Sequence, residues 1–486
     1  MKRNILLLTV LTLLTVVSCR KIEVDGTTTI IDNGGNGNGN GSTVTLSGRI
    51  TESITLKKGD NNILKGLVYI TNGVTLTIEK GAVVKGSYSG SDVAVLIVAR
   101  GGKIVAQGTQ EEPIVFTSSS PTPQSGDWGG IVICGKAAIN SSFEGKFGLF
   151  QVEGGVDNAS GEGRAGSGDD LVPTPINDDS SGVLAYARIE YAGYAFQPDK
   201  EVNSLTMAGV GSKTVIHHVQ VTYAKDDAFE WFGGTVNCKY LIAYKTQDDD
   251  FDSDNGYSGS VQFGLIVRDS SIADISKSEA FESDNNSAGT VISPQTSAVF
   301  VNITAFGHRA TASNIGNSNY HGSAVQIRRN SSISIFNSAF VGWKSGIEID
   351  DSRGAATSAN ITAGKLNLKG IIIAGAEKPV QYIPANPVNG YTEAQLNTWF
   401  LSAENKNQYF PTVDAIRFTK PFDYLNPDWQ PFGNSAVVIP SASNTYFDDP
   451  IIKARPFITK VDFIGGIAPS GPDANWHKGW TNFNSN

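Results

Sequence analysis

The residues best equipped for chemistry in this chain are carboxylates, and they recur. Phe251-Asp252-Ser253-Asp254-Asn255 returns as Phe281-Glu282-Ser283-Asp284-Asn285, and Lys225-Asp226-Asp227-Ala228-Phe229-Glu230 is an earlier echo. Alternation along extended chain places Phe229, Phe251 and Phe281 in a core and Glu230, Asp252 and Glu282 outside it. Gly346-Ile347-Glu348-Ile349-Asp350-Asp351 is a looser copy, so Glu230, Asp252, Glu282 and Glu348 are expected to form a solvent-facing acidic ladder that meets a ligand. Like charges one rung apart repel by ~0.9 kcal/mol in water and ~3.5 kcal/mol at an effective dielectric of about 20. Three offsets are open. Lys225, Lys277 and Lys344 recur at nearly one phase and could pair with Asp227, Glu279 and Glu348. A Ca²⁺ ion takes clustered oxygen ligands, for which Asp248, Asp249, Asp250, Asp252 and Asp254 are the densest set. Mutual repulsion can also raise a carboxyl pKa, which is what an acid catalyst needs.

Other side chains offer less. His217-His218 lies within a strand, where one ring points in and the other out, the wrong arrangement for a zinc pair. Tyr223, Trp231, Tyr244, Tyr257 and Tyr320 could stack on sugars, although Trp231 shares the phase of Phe229 and reads as core. No Gly-x-Ser-x-Gly elbow stands between a strand and a helix, so the serines carry no nucleophile signature.

The elements that must position these groups are short β runs such as Leu76-Thr77-Ile78, Val95-Leu96-Ile97-Val98 and Ile114-Val115-Phe116, separated by Gly, Asn, Asp and Ser. A motif returning with drifting spacing, 22 residues from Phe229 to Phe251 and 30 from Phe251 to Phe281, suits stacked coils with loops of variable length. A β-sandwich is the alternative, and it would need tight antiparallel hairpins. The expected fold is all-β, a single-stranded right-handed parallel β-helix over residues 44–385, on the order of a dozen coils at ~4.8 Å each. Phe143 to Gly182 reads as a long loop over one face. Residues 386–486 form a helical and irregular C-terminal segment: Tyr391 to Leu401 is an amphipathic helix with Thr392 as N-cap, and the Pro-rich stretch from Pro411 to Pro456 is expected to cover an open end.

Residues 1–18 read as a secretory signal, with Lys2 and Arg3 before an apolar run from Ile5 to Val17. Val16-Val17-Ser18-Cys19 resembles a bacterial lipobox, which implies acylation of Cys19 by chains such as palmitate. Residues 19–43 are then anchor and tether, including an Asn/Gly stretch from Asn33 to Gly41. The whole chain carries a net charge of −9, and without residues 1–18 the balance is −11. Neither favours nucleic acid or anionic lipid headgroups as a partner. Cys134 and Cys238 sit in or beside apolar runs and read as core thiols, which excludes a disulfide framework and a four-cysteine zinc site.

The corner-and-strand segment from Gly101 to Ser118 resembles right-handed parallel β-helices. Asp127-Trp128-Gly129-Gly130-Ile131-Val132-Ile133-Cys134-Gly135-Lys136-Ala137, the Asp-rich coils from Ala224 to Asp254, and Asn475-Trp476-His477-Lys478-Gly479-Trp480-Thr481-Asn482-Phe483 resemble a family of exported β-helix proteins and lipoproteins common in Bacteroidota. That resemblance, to a family without a settled activity, implies architecture and location and no catalytic residue. The order Asp248-Asp249-Asp250, Gly307-His308-Arg309, Gln326-Ile327-Arg328-Arg329 is similar to that of polygalacturonase-type hydrolases, which makes Asp249, Asp250, His308 and Arg328 the catalytic candidates. The His and Arg motifs depart from the pattern and its upstream Asn-Thr-Asp is missing. A polysaccharide lyase would instead need Ca²⁺ on the acidic cluster and a base from Arg268, Arg309 or Arg328. The reading is a lipid-anchored, surface-exposed outer-membrane protein that binds glycan or another extracellular ligand along an acidic, Ca²⁺-loaded flank without turning it over. An outer-membrane uptake receptor is its expected partner. The alternative is a polysaccharide lyase or glycoside hydrolase.

Overall fold

The computed structural model describes residues 41–197, 200–308, 321–386, 390–424, 427–438 and 446–484. Residues 1–40, with the signal, Cys19 and most of the tether, lie outside them, as do Arg309 and Tyr320. Among the described residues no helix is long and apolar enough to cross a membrane.

Among the described residues, twenty-six strands join in one continuous sheet, and the pairings within it are parallel. Each coil visits three walls in turn. Strands Val95–Val98, Gly130–Cys134, Leu205–Ala208, Phe229–Phe232, Phe251–Asp254, Phe281–Ser283, Ser323–Ile327, Ser345–Asp350 and Val380–Ile383 pair in succession to make the first wall. Residues 182–185, 215–217, 237–239, 260–262 and 299–301 belong to the second wall, and residues 187–190, 219–222, 241–244, 264–267 and 303–306 to the third. This is a parallel β-helix. Its lumen is filled by one apolar cluster running from Leu46 to Phe400, including Phe229, Trp231, Phe251, Phe281, Val325 and Ile347.

The corner between the second and third walls is made by a column of residues that the register skips. Tyr186, His218, Tyr240, Phe263, Asn302 and Asn337 all take positive φ, between 47° and 63°. Their side chains stack along the axis: His218 lies 4.2 Å from Tyr186 and 4.3 Å from Tyr240, ring centre to ring centre, and Tyr240 lies 4.9 Å from Phe263. The skip also corrects the expectation for the histidine pair. Because His218 sits in the bulge, its ring meets that of His217, with the two Nδ1 atoms 2.9 Å apart.

The outward faces of the walls are not bare. On the first wall, Val95, Ile97, Val132, Cys134, Ala208 and Phe232 are covered by Ile139, Val152, Val156 and Ala165, from a segment holding short antiparallel ribbons rather than one plain loop. The C-terminal end of the coil meets the helix Glu393–Phe400, whose Leu396 and Phe400 enter the lumen cluster. Thr392 and Gln395 form a reciprocal capping box at its start. The residues after it do not gather at that end. They run back along the third and second walls, where Ile464, Trp476 and Trp480 cover Ile242, Tyr244 and Leu265, and Phe447 and Ile452 cover Val299 and Val301. Gln220 holds Asn482 through two hydrogen bonds of 2.8 Å, and Gln110 donates to the Lys478 carbonyl at 2.9 Å. Cys134 and Cys238 are buried free thiols.

Candidate functional site

The first wall changes character where its apolar cover ends. Pairing places Glu230 beside Asp252 and Asp252 beside Glu282, followed by Gln326, Glu348 and Gln381 at the same register. The expected ladder therefore exists as one column on one wall, with Phe229, Phe251 and Phe281 pointing into the lumen. Its exposure differs from expectation: Glu230 is 6% and Glu348 3% exposed, while Asp252 and Glu282 are half-buried. Pointing away from the core is not the same as facing water, because neighbouring side chains close over the column. Asn203 Nδ2 donates to Glu230, and Gln326, Gln381 and Ser323 all donate to Glu348.

A second acidic column runs beside it. Asp227, Asp249 and Glu279 precede Glu230, Asp252 and Glu282 by three residues in three successive coils, at the corner where the chain leaves the third wall. They are tied along the axis, since the Asp249 N–H donates to Asp227 Oδ1 at 2.9 Å and the Glu279 N–H to Asp249 Oδ1 at 2.5 Å. The two columns converge on three groups: Asp226, Asp227 and Asp248; Asp227, Glu230 and Asp252; and Asp249, Glu279 and Glu282. In each, one carboxylate oxygen per residue lies within 4.8 Å of the others. Sequence reasoning recognised these residues singly and missed the pairing. The signal was an acidic residue three places before each ladder position, repeated as Asp227/Glu230, Asp249/Asp252 and Glu279/Glu282.

Burial raises every carboxyl pKa in this cluster, and the neighbouring carboxylates add to it. Asp226, Asp227, Glu230, Asp249, Asp252 and Asp254 are pushed well above the usual range. Glu279 rises to about 8, and Asp248 and Glu282 to about 7.

The expected five-aspartate metal set is only partly brought together. Asp249 and Asp252 join different groups, Asp248 belongs with Asp226 and Asp227, and Asp254 sits past the column, its Oδ1 accepting from the Asn255 N–H at 2.5 Å. Asp250 is removed from the set. It is 0% exposed and pairs with the equally buried Arg268, Nη1 to Oδ2 3.3 Å. The expected lysine pairs are absent among the described residues. Lys225, Lys277 and Lys344 are exposed, and the cations that touch the wall are arginines. Arg328 bonds Glu282 and Asp284, and Arg329 bonds Asp284.

The catalytic candidates do not form one constellation. Asp249 and Arg328 belong to the acidic wall, and Arg328 is occupied by Glu282, Asp284 and Gln326. Asp250 belongs to the Arg268 pair. His308 is fully buried and stacks on His321 with ring centres 3.9 Å apart. Of the aromatic sugar platforms, Trp231, Tyr244 and Tyr257 are 0% exposed and cannot serve.

Residues 48–409 match the model of a family described as the pectate-lyase-like β-helix domain. Among solved structures, the crystal structure of pectate lyase Pel9A aligns at 10% identity, covering 59% of this chain and 71% of its own, with a TM-score of 0.28. No curated protein sequence matches the chain.

Proposed function

We propose that this chain, which belongs to the family of pectate-lyase-like β-helix domains, binds an extracellular glycan along the acidic stretch of its first wall, through a divalent cation held by that wall. The carrying observation is the pair of acidic columns, which concentrates six carboxylates from three coils. So many buried carboxylates need a counter-charge, and among the described residues their arginine ion pairs lie at the Glu282–Asp284 end. The donor set is all carboxylate oxygen, the chemistry of Ca²⁺, with a geometry looser than Mg²⁺ demands. Asp227, Glu230 and Asp252 would hold the ion, leaving part of its shell to hydroxyl or carboxylate oxygens of a sugar.

Binding without turnover is favoured over inverting hydrolysis by spacing. Carboxylates grouped within 4.8 Å suit a shared cation, whereas inverting hydrolysis separates its two carboxyls by about 6.5–9.5 Å to admit water. A lyase remains the second reading, since Arg328 stands beside the cluster. The export signal and Cys19 support placement as a lipid-anchored protein on the outer-membrane surface, where an uptake receptor would be the partner.

The test is retention of the full chain on immobilised glycans, acidic and neutral, with Ca²⁺ or with chelator. Retardation on a glycan with Ca²⁺, lost in chelator and in Asp252→Ala, is the expected result. Products absorbing in the ultraviolet would establish the lyase instead, and passage through every matrix would reject glycan binding.

A further inference from the structure

We propose that a cavity at the downstream corner of the first wall, between the loop after Ser345–Asp350 and the segment after Val380–Ile383, binds a neutral sugar and needs no cation to do so. The site is separate from the acidic stretch and extends the glycan reading to a second seat, built from different residues.

The two strands pair in parallel, so the segments that follow them leave the wall one above the other. Between them lies a space of about 780 Å³, within the ~300–1,000 Å³ common for small-molecule sites. The space exists because its rim is made of residues with little reach, Gly354, Ala356, Ala359 and Ala363 from one coil and Ala385 and Gly390 from the next.

At its base is a polar group held in a fixed arrangement. Asp351 and Ser358 both line the cavity, and each is 2% exposed. Asp351 Oδ1 accepts from the Ser358 N–H at 2.8 Å, and Oδ2 accepts from the Ser358 hydroxyl at 2.5 Å and the Tyr382 hydroxyl at 2.9 Å. A carboxylate offers about four acceptor positions, so one remains on Oδ1, and the Ser358 oxygen keeps its own lone pairs. The base is not closed over by the next coil. A Cβ placed on Gly390 would stand 3.6 Å from Ser358 Oγ, 3.7 Å from Tyr382 Oη and 3.9 Å from Asp351 Oδ2. Any longer side chain there would fill the space in front of all three, and the φ of 102° at Gly390 is one that favours glycine.

Tyr391 and Thr362 form the other polar edge, their hydroxyl oxygens 2.9 Å apart. Two hydroxyls carry two hydrogens and the bond between them uses one, so the pair keeps one donor and several lone pairs. Tyr391 also supplies the aromatic ring of the lining. Hydroxyls at two edges, methyls between them and a ring suit a pyranose, whose surface alternates C–H and O–H. Charge narrows the class. Asp351 is the one charged residue among the described lining residues, so a uronate, phosphate or sulfate would meet a like charge and no cation. A cationic ligand gains little, because three donors already face that carboxylate.

A single sugar in such a site is expected to bind with a Kd on the order of 1 mM. That is too weak to hold a polymer on a column, so matrix retention still depends on the acidic stretch. The experiment is saturation-transfer NMR on the full chain in detergent and chelator, with the methyl glycosides of glucose, galactose and mannose and with glucuronate and galacturonate. At least one neutral glycoside is expected to give a signal, and neither uronate. Ala359→Trp and Ala363→Trp, both at exposed positions, should fill the cavity and abolish the signal, with circular dichroism showing that each is folded. Tyr391→Phe, which keeps the ring and removes a hydroxyl, should weaken binding by up to about tenfold. No signal from any neutral glycoside, an equal signal from a uronate, or a signal unchanged in both tryptophan variants overturns the site. Asp252→Ala should leave the signal intact, which separates the two readings. Calcium-dependent retention without a free-sugar signal would leave the wall and remove the cavity, and a signal without retention would do the reverse.

Discussion

Asp249 and Asp250 are neighbours in sequence with opposite fates. Asp249 turns outward into the acidic cluster, while Asp250 enters the lumen at a place that Ala228 and Ala280 fill in the adjoining coils. There the Arg268 guanidinium meets it, and that guanidinium also donates to the Asp248 and Gln247 carbonyls at 2.5 and 3.3 Å. Burial raises the Asp250 carboxyl to about 6 even against the lowering effect of Arg268. Removing one partner of such a pair leaves the other stranded, at a cost of about 3–5 kcal/mol. Arg268→Met should lose that much in denaturant unfolding at pH 8 and less at pH 5, where Asp250 can take a proton. Asp250→Leu/Arg268→Met should recover most of it, and an equal loss in the double variant would show that the pair is not the cause. None of this was legible in the sequence. Asp248-Asp249-Asp250 falls at a corner, where the period-two rule that sorted Phe251 from Asp252 has no purchase.

At the scale of elements, the strands were readable because their alternation repeats, as in the succession Phe229, Phe251 and Phe281. The terminal helix was readable from Thr392 and the spacing of Leu396 and Phe400. The corner column was not. Positive φ is ordinary for Gly and Asn, but here it falls on Tyr186, Tyr240 and Phe263, residues whose types announce strand rather than bulge. The helix has a sharper role than its eight residues suggest, since Asn397 hydrogen-bonds both the N–H and the carbonyl of Val380 in the last strand of the first wall. That leaves less free edge for another chain to pair with. Thr392→Ala should cost about 1 kcal/mol through the lost capping box. Leu396→Asp should release the helix, and light scattering should then show association; a monodisperse monomer would place the protection elsewhere.

Across the whole molecule, the repeat made the solenoid legible and left its coverings hidden. Where a wall is bare depends on segments far away in sequence, such as Val152 over Val132 or Trp480 over Tyr186, and alternation reports only in and out. The covered acidic wall sets a pH dependence. Its carboxyls have raised values in the fold, about 8 for Glu279 and about 7 for Asp248 and Glu282, against about 4 when unfolded. Between those limits the folded chain binds more protons than the unfolded one, so their contribution is complete at low pH and lost as pH climbs through 7 to 8. In chelator the melting temperature should fall from pH 5 to pH 8, and Ca²⁺ should restore it at pH 8 more than at pH 5. A melting temperature that rises over this interval would contradict the arrangement.

The returning C-terminal strap has a consequence for how the molecule is made. Gln110 and Lys478 are separated by 368 positions yet joined by a hydrogen bond, so the coil that holds Gln110 is not finished until the ribosome has delivered residue 478. Coils can stack as they emerge, but Tyr186, His218 and Tyr240 wait uncovered for Trp476 and Trp480. For that interval the nascent chain presents a greasy flank to anything nearby, a window in which a chaperone would have its purpose.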